Sequence, residues 1–239
     1  MDRDSIDFIK GWVKTSFIDF PGKIATVLYT EGCNLRCPIC HNPELITYPE
    51  RYESIDIDEI FAYIEQREAL IDGVVISGGE PLIHPETVAL LEALRALPVA
   101  IKLDTNGCFP ERLEQIIVNK LVDMIALDVK APPYLYPLVS GNKRFDITKL
   151  EHSLAVLRAG AVPFEIRTTV IPQVIDEQAL TDLVAWITPV DHYVLQQFRP
   201  VMTLDPEFRN LHPLPEYRLT TMAEIARRVI PDVAIRGIA

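Results

Sequence analysis

The stretch Lys23-Ile24-Ala25-Thr26-Val27-Leu28-Tyr29-Thr30 runs directly into Glu31-Gly32-Cys33-Asn34-Leu35-Arg36-Cys37-Pro38-Ile39-Cys40-His41-Asn42. Residues 23–30 are rich in β-branched and aromatic side chains and read as a buried strand. The following run carries three thiols at C-x3-C-x2-C spacing. A loop bearing this chemistry at the carboxyl end of a strand is the first instance of a pattern that repeats along the chain. Residues 73–77 lead into Ser77-Gly78-Gly79-Glu80-Pro81, and residues 99–103 into Asp104-Thr105-Asn106-Gly107. Residues 124–129 lead into Asp128-Val129-Lys130, residues 164–170 hold Arg167-Thr168-Thr169, and residues 193–197 lead into Gln197-Phe198-Arg199.

Helical segments fill the intervals. Ile57, Ile60, Phe61 and Ile64 recur on one helix face after start signals at residues 54–56. Pro85 is placed to open a helix with Leu90, Leu91, Leu94 and Leu97 on its inner face, and Pro98 stops it. Further helices are expected near residues 110–120 and 147–159, the latter ended by Gly160. Leu180, Leu183, Val184 and Ile187 mark another, residues 216–229 the last, and residues 233–235 a short seventh strand.

Six strand–helix alternations predict parallel strands joined by right-handed crossovers. Polar clusters at successive strand ends favour a TIM-type barrel over a doubly wound sheet. Six units fall short of eight, so the expectation is an α/β fold: a partial, laterally open (β/α)6 TIM-type barrel. Residues 1–239 are expected to form one domain, with a short N-terminal extension over 1–22 and a closing helix and strand over about 215–239.

Composition narrows the function classes. A net charge of −11 leaves no basic field for nucleic acid. Four cysteines, three of them in one loop, are not a disulfide framework and suit a reducing cytoplasmic setting. No apolar run approaches the length of a membrane span, so neither nucleic acid nor membrane is an expected partner.

Three thiolates from one loop suit three irons of a [4Fe–4S] cluster, which ordinarily takes four cysteines. The fourth iron is then open to a substrate or cofactor. The alternative on ligand type is a Cys3His zinc site using His41. Adjacent Cys40 and His41 point in different directions, which makes that site awkward. Cys108 is either a fourth ligand or a free buried thiol, the commoner state.

The run from Gly32 to Asn42 resembles the cluster motif of radical S-adenosylmethionine (SAM) enzymes. More narrowly, it is similar to that of the glycyl-radical-enzyme activases, among them the activators of pyruvate formate-lyase and of anaerobic ribonucleotide reductase. The resemblance spans residues 11–199. It departs at Ile39, where an aromatic residue is usual. It implies a [4Fe–4S] cluster on Cys33, Cys37 and Cys40 whose open iron binds SAM through its amino and carboxylate groups. It further implies reductive cleavage of SAM to a 5′-deoxyadenosyl radical, which makes a glycyl radical on a partner enzyme. The segment around residues 11–22 and the run 37–45 are more similar to the ribonucleotide reductase activators than to the pyruvate formate-lyase ones. Flavodoxin or ferredoxin is the implied electron donor.

The resemblance also assigns residues. Ile39, His41, Asn42, Gly78, Gly79, Glu80, Pro81, Asp104, Asn106, Lys130, Arg167 and Arg199 are implied to contact SAM. Within that set, Gly78–Pro81 would hold its amine, with the Glu80 carboxylate facing an ammonium. Asp104, Thr105 and Asp128 are implied to hold a monovalent cation beside the SAM carboxylate. Asp19 and Arg167 are implied to meet the substrate peptide. Taken alone, Ser77–Pro81 reads as a glycine turn, Asp104 and Asp128 as caps, and Arg167 as a surface ion pair. Two rival activities remain open: a radical SAM enzyme acting on a metabolite such as a deazaguanine precursor, and a non-catalytic iron–sulfur or zinc protein.

Overall fold

The computed structural model describes residues 6–238. In chain order the elements are β1 (Ile9–Ser16), β2 (Ala25–Thr30), α1 (Pro43–Thr47), α2 (Ile57–Glu65), β3 (Gly73–Gly78) and α3 (Thr87–Leu94). Next come β4 (Ala100–Thr105), α4 (Pro110–Val118), β5 (Met124–Asp128), α5 (Tyr136–Val139), α6 (Ile147–Ala159) and β6 (Phe164–Val170). The chain ends with α7 (Glu177–Ile187), β7 (His192–Gln197), α8 (Glu216–Arg227) and β8 (Asp232–Arg236). One sheet takes the eight strands in sequence order, and β1 and β8 remain its two edges. Strands β2 to β8 are parallel throughout. The expected laterally open α/β barrel with six strand–helix units is therefore present.

One part of that expectation needs correction. Residues 6–22 of the anticipated extension are not a simple lead-in: β1 pairs antiparallel with β2, with Trp12 opposite Leu28. Antiparallel pairing requires no crossover helix, and β1 joins β2 through the helix-free loop 17–24. Its burial alternates weakly, with Val13 and Lys14 exposed, as suits an edge strand that is half wet. Residues 1–5 lie outside the described residues. A smaller correction concerns Pro85, which precedes α3 rather than opening it. Leu97 lies beyond that helix, yet is buried.

The helices form where the sequence supplies both an apolar stripe and a start signal. Asp56, Asp146 and Asp176 each accept a backbone N–H from the first turn of α2, α6 and α7. Ile57, Ile60, Phe61 and Ile64 are all buried against the sheet. The outward face of the barrel and its helices make the main core, including Ile76, Leu103, Leu127 and Leu195.

The inner face changes character along its length. At the amino end of the strands it is apolar, a cluster of Phe20, Ala25, Val27 and Val75 with Tyr29, Ala100 and Met124 packed on it. Further along β4, β5 and β6 the same face becomes charged, at positions set by the two-residue alternation of side chains. Ala100 is followed by Lys102 and Asp104, and Met124 by Ala126 and Asp128. On β6 the inward set is Glu165, Arg167 and Thr169. The register puts Asp128 opposite Arg167 and Ala126 opposite Glu165.

The edge strand β8 is fastened across that interior. Arg236 donates through Nη1 and Nη2 to the two carboxylate oxygens of Glu165, at 2.8 and 2.7 Å. Glu165 is 3% exposed, so it depends on this partner. Arg236→Ala is expected to lower unfolding free energy by about 3 kcal/mol, measured by urea denaturation. The double variant Arg236→Ala, Glu165→Leu should recover part of the loss, because no buried charge is then left unpaired. Unchanged stability of the single variant would show that the pair contributes nothing.

Candidate functional site

The ends of β2 and β3 approach so closely that only glycine fits between them. Gly78 has φ +117°, and a Cβ there would lie 2.2 Å from the Thr30 nitrogen. A Cβ on Gly79 would lie 1.7 Å from the Gly32 carbonyl oxygen. The two glycines thus let β3 pack against the base of the cysteine loop. Three hydrogen bonds close the joint: Gly79 N–H to Thr30 O at 2.8 Å, Glu80 N–H to Gly32 O at 2.9 Å, and Asn42 Nδ2 to Gly78 O at 3.1 Å.

Glu80 joins this unit to the next strand. Its Oε1 accepts from the Leu82 N–H at 3.1 Å and the Thr105 hydroxyl at 2.7 Å, and its Oε2 from the Asn106 N–H at 2.7 Å. The side chain is 1% exposed. Burial pushes its carboxyl up to about 7, against the pull of those three donors. Asn106 then reaches on with Nδ2, to Asn34 Oδ1 at 2.9 Å and to Cys33 Sγ at 3.7 Å. A chain of contacts therefore runs from β3 through Glu80 and Asn106 to the first cysteine.

The cysteine loop is held on its other side as well. Arg36 N–H donates to Ser140 O at 2.9 Å, and Asp205 N–H to Pro38 O at 2.9 Å. Cys33, Cys37 and Cys40 line one cavity of about 300 Å³, at the small end of the range for small-molecule sites. Leu35, Cys37 and Cys108 pack together with Phe109 and Phe145 behind it. This burial raises the thiols of Cys33, Cys37 and Cys40, Cys33 to about 12. They are protonated at neutral pH until a metal ionises them, so cluster assembly releases protons and is favoured by higher pH.

Opposite the thiols stands a row of alternating charge. Lys102 Nζ donates to Asp104 Oδ1 at 2.5 Å, and Arg167 Nη1 to Asp104 Oδ2 at 3.0 Å. Arg167 Nε donates to Asp128 Oδ1 at 2.8 Å, and Lys130 Nζ lies 3.7 Å from Asp128 Oδ2. Ser77 Oγ adds a bond to Asp104 Oδ2 at 3.2 Å. Burial would push the Asp104 carboxyl up, but Arg167 and Lys102 overcome it and hold it below the usual carboxylate range. Burial likewise opposes charge on Arg167, and Asp104 and Asp128 reverse that effect.

The cavity brings together most of the residues singled out from the sequence. Its lining includes Asp19, the three cysteines, Ile39, His41, Asn42, Gly78, Gly79, Glu80, Asp104, Thr105, Asn106, Asp128, Lys130 and Arg167. Pro81 is buried at the start of a short 3-10 turn and Arg199 is exposed; neither lines the cavity. Cys108, 4% exposed, is also absent from the lining, and burial pushes its thiol up to about 11. Two readings change in detail. The glycines accommodate the chain's own backbone, and both oxygens of Glu80 are taken by internal donors. Asp104 and Asp128 are ion-paired strand residues rather than caps. Sequence reasoning missed Lys102, which is 0% exposed. Its signal was a lone lysine in the apolar run 99–103, two residues before Asp104 and so on the same face.

The donor set fits a cluster better than a single ion. Three soft thiols share one dry wall, whereas among the described residues no group of three His, Cys, Asp or Glu side chains closes tightly enough for one metal ion. A cluster binds each thiolate to a different iron, so its ligands stand further apart than those of one zinc. Beside the thiols, the polar strand ends and the cations Lys130 and Arg167 suit an amino-acid carboxylate and its attached nucleoside.

A sequence model of the radical SAM superfamily matches residues 27–183. A protein of Methanocaldococcus jannaschii, provisionally named a glycyl-radical enzyme activating enzyme, is 35% identical over 235 residues, 96% of each chain. The pyruvate formate-lyase-activating enzyme of Staphylococcus epidermidis is 32% identical over 174 residues, 67% of each chain. Among solved structures, QueE from Escherichia coli superposes with TM-score 0.55 over 96% of this chain and 93% of its own. At 18% identity that likeness concerns the fold.

Glu80 offers the sharpest test of how this site is assembled. Glu80→Gln keeps one acceptor oxygen and turns an N–H2 group toward a donor, so it should lower stability by about 1–3 kcal/mol. The pH dependence has a defined sign. With its carboxyl raised from 4.5 to about 7, the folded state holds a proton that the unfolded state has lost. Parent stability therefore falls as pH rises through that window, and Glu80→Gln should remove this part of the slope. Parallel stability–pH curves for parent and variant would contradict the assignment.

Proposed function

The chain belongs to the radical SAM superfamily, and from that premise we propose that it makes a glycyl radical on a partner enzyme, most specifically an anaerobic ribonucleotide reductase. It is an enzyme of the glycyl-radical-activating type. The observation that carries this reading is the joint placement of Cys33, Cys37 and Cys40 with the strand ends Gly78–Glu80, Asp104–Asn106 and Asp128–Lys130 around one cavity. A match to an activating relative over 96% of both chains supports it. The ribonucleotide reductase assignment rests on the motif likeness of residues 11–22 and 37–45 alone.

The cofactors are a [4Fe–4S] cluster and SAM. When bound, they supply the one-electron chemistry that removes a hydrogen atom from the α-carbon of glycine. The protein's own part is holding and excluding. Cys33, Cys37 and Cys40 are the cluster ligands, with Leu35, Phe109 and Phe145 packed against Cys33 and Cys37. Asn106 donates toward Cys33 Sγ, and such a bond raises the potential of a cluster. Lys130 and Arg167 present positive charge to the SAM carboxylate, and Ile39 presents an apolar face to adenine. Asp19 lines the same cavity and takes the Ser16 hydroxyl at 2.5 Å. Its remaining acceptor capacity suits a peptide N–H of the incoming glycine loop. The lateral gap between β1 and β8 gives such a loop a way in. Flavodoxin or ferredoxin is the proposed electron donor, and the cytoplasm the proposed compartment. Among the described residues no helix is long and apolar enough to cross a membrane.

The test is anaerobic reconstitution with iron and sulfide, followed by SAM, dithionite and an anaerobic ribonucleotide reductase. The expected result is 5′-deoxyadenosine together with a glycyl-radical EPR doublet on the reductase. Changing Cys33, Cys37 or Cys40 to Ala should abolish the cluster's visible absorption and both products, whereas Cys108→Ala should keep them. SAM cleavage without a radical on any glycyl radical protein would overturn activation. A colourless protein holding one zinc would overturn the whole reading.

A further inference from the structure

We propose that Lys102 and Arg167 act as built-in cations on the Asp104 carboxylate, so that this protein binds SAM without a monovalent metal ion. The proposal rests on the cavity being the SAM site. It departs from the resemblance, which implies an ion held by Asp104, Thr105 and Asp128.

The oxygens such an ion would need are already engaged. Asp104 Oδ1 takes the Lys102 ammonium at 2.5 Å, and Oδ2 takes Arg167 Nη1 at 3.0 Å and Ser77 Oγ at 3.2 Å. Asp128 Oδ1 takes Arg167 Nε at 2.8 Å, and Oδ2 faces Lys130 Nζ at 3.7 Å. The Thr105 hydroxyl donates to Glu80 Oε1 at 2.7 Å and accepts the Gly107 N–H at 3.1 Å. A hard cation needs several converging, unencumbered oxygens. Here they converge on nitrogen instead.

Charge balance gives the same answer. Asp19 and Glu80 line the same cavity, but at Asp104 and Asp128 themselves three side-chain cations already stand, so a further ion there would sit against like charge. The same cations attract a carboxylate ligand. Lys102 is the informative residue, because a fully buried ammonium persists only where a fixed counter-charge compensates its desolvation. It is 0% exposed on β4, on the same face as Asp104. It thus stands as a tethered ammonium on the carboxylate that the resemblance gives to a soluble ion. Arg167 spans the interval between Asp104 and Asp128, the remaining place for one.

The experiment compares potassium, sodium and choline chloride at equal ionic strength. A cation that binds the native protein raises its melting temperature in a saturable way. The expected result for the anaerobically reconstituted holoenzyme is no saturable rise in either metal salt. SAM affinity and 5′-deoxyadenosine formation should agree within about twofold across the three salts, and a gain above about tenfold in one metal salt would overturn the proposal. Lys102→Met removes the tethered ammonium and should make SAM affinity depend on potassium. A folded Lys102→Met protein indifferent to cations would contradict the role given to Lys102. If that variant does not fold, the three-salt comparison on the parent decides. If SAM is cleaved in none of the salts, the proposed function fails, while the melting comparison still decides the question of the ion.

Discussion

The buried carboxylate of Glu80 is the contact on which the rest of the site depends. It belongs to the end of β3, yet its acceptors are filled by Leu82 on its own turn and by Thr105 and Asn106 from the end of β4. Two neighbouring strand ends are thereby locked together with no side-chain freedom left between them. Asn106, fixed by that bond, extends the lock to Asn34 and Cys33. Gly78 and Gly79 make the arrangement possible by letting the β2 end come within backbone contact. A site built this way pays its ordering entropy during folding rather than at ligand binding, which is the advantage of preorganisation.

The barrel interior follows from one simple rule, the two-residue alternation of strands. Small and apolar residues fill the amino end, where Ala25, Val75 and Ala100 leave room for Phe20. Charged residues two to four positions onward on β4 and β5 fill the carboxyl end. Such charges are tolerable there only because they alternate in sign: Lys102, Asp104, Arg167, Asp128, Lys130. Each buried member has a partner within hydrogen-bond or ion-pair reach, as burial of charge demands. The row is both a structural seam joining β4, β5 and β6 and the wall that faces the cysteine loop. Fold and chemistry are therefore not separable here, since the same ion pairs serve both.

Much of this was readable from the chain because the signals were local. The apolar runs ending in polar clusters announced the parallel strands, since strands covered on both faces need continuous hydrophobic sequence. The α2 stripe of Ile57, Ile60, Phe61 and Ile64 and its Asp56 cap are one-dimensional patterns. What escaped was set by partners distant in sequence. β1 has little apolar alternation because it is a half-wet edge, so nothing in Ile9–Ser16 announces a strand until β2 is beside it. The function of Gly78–Gly79 as a joint depends on Thr30 and Gly32, some 47 residues earlier by numbering. The ion pairing of Arg167 with Asp104 bridges 63 residues. Lys102 was visible as an anomaly, a charge within a buried strand, but its counter-charge becomes evident only when the inner face is identified.

A three-thiol loop, a carboxylate lock and a charged strand-end wall meet at one cavity, the proposed seat of a cluster and its SAM. The most direct measurement is electron–nuclear double resonance on the reduced cluster with SAM labelled by 15N at its amino group and 17O at its carboxylate. The account predicts hyperfine coupling from both labels to the cluster, lost when Cys33, Cys37 or Cys40 is replaced. An intact reduced cluster with no coupling from either label would contradict it, because the open iron would then not be where SAM binds.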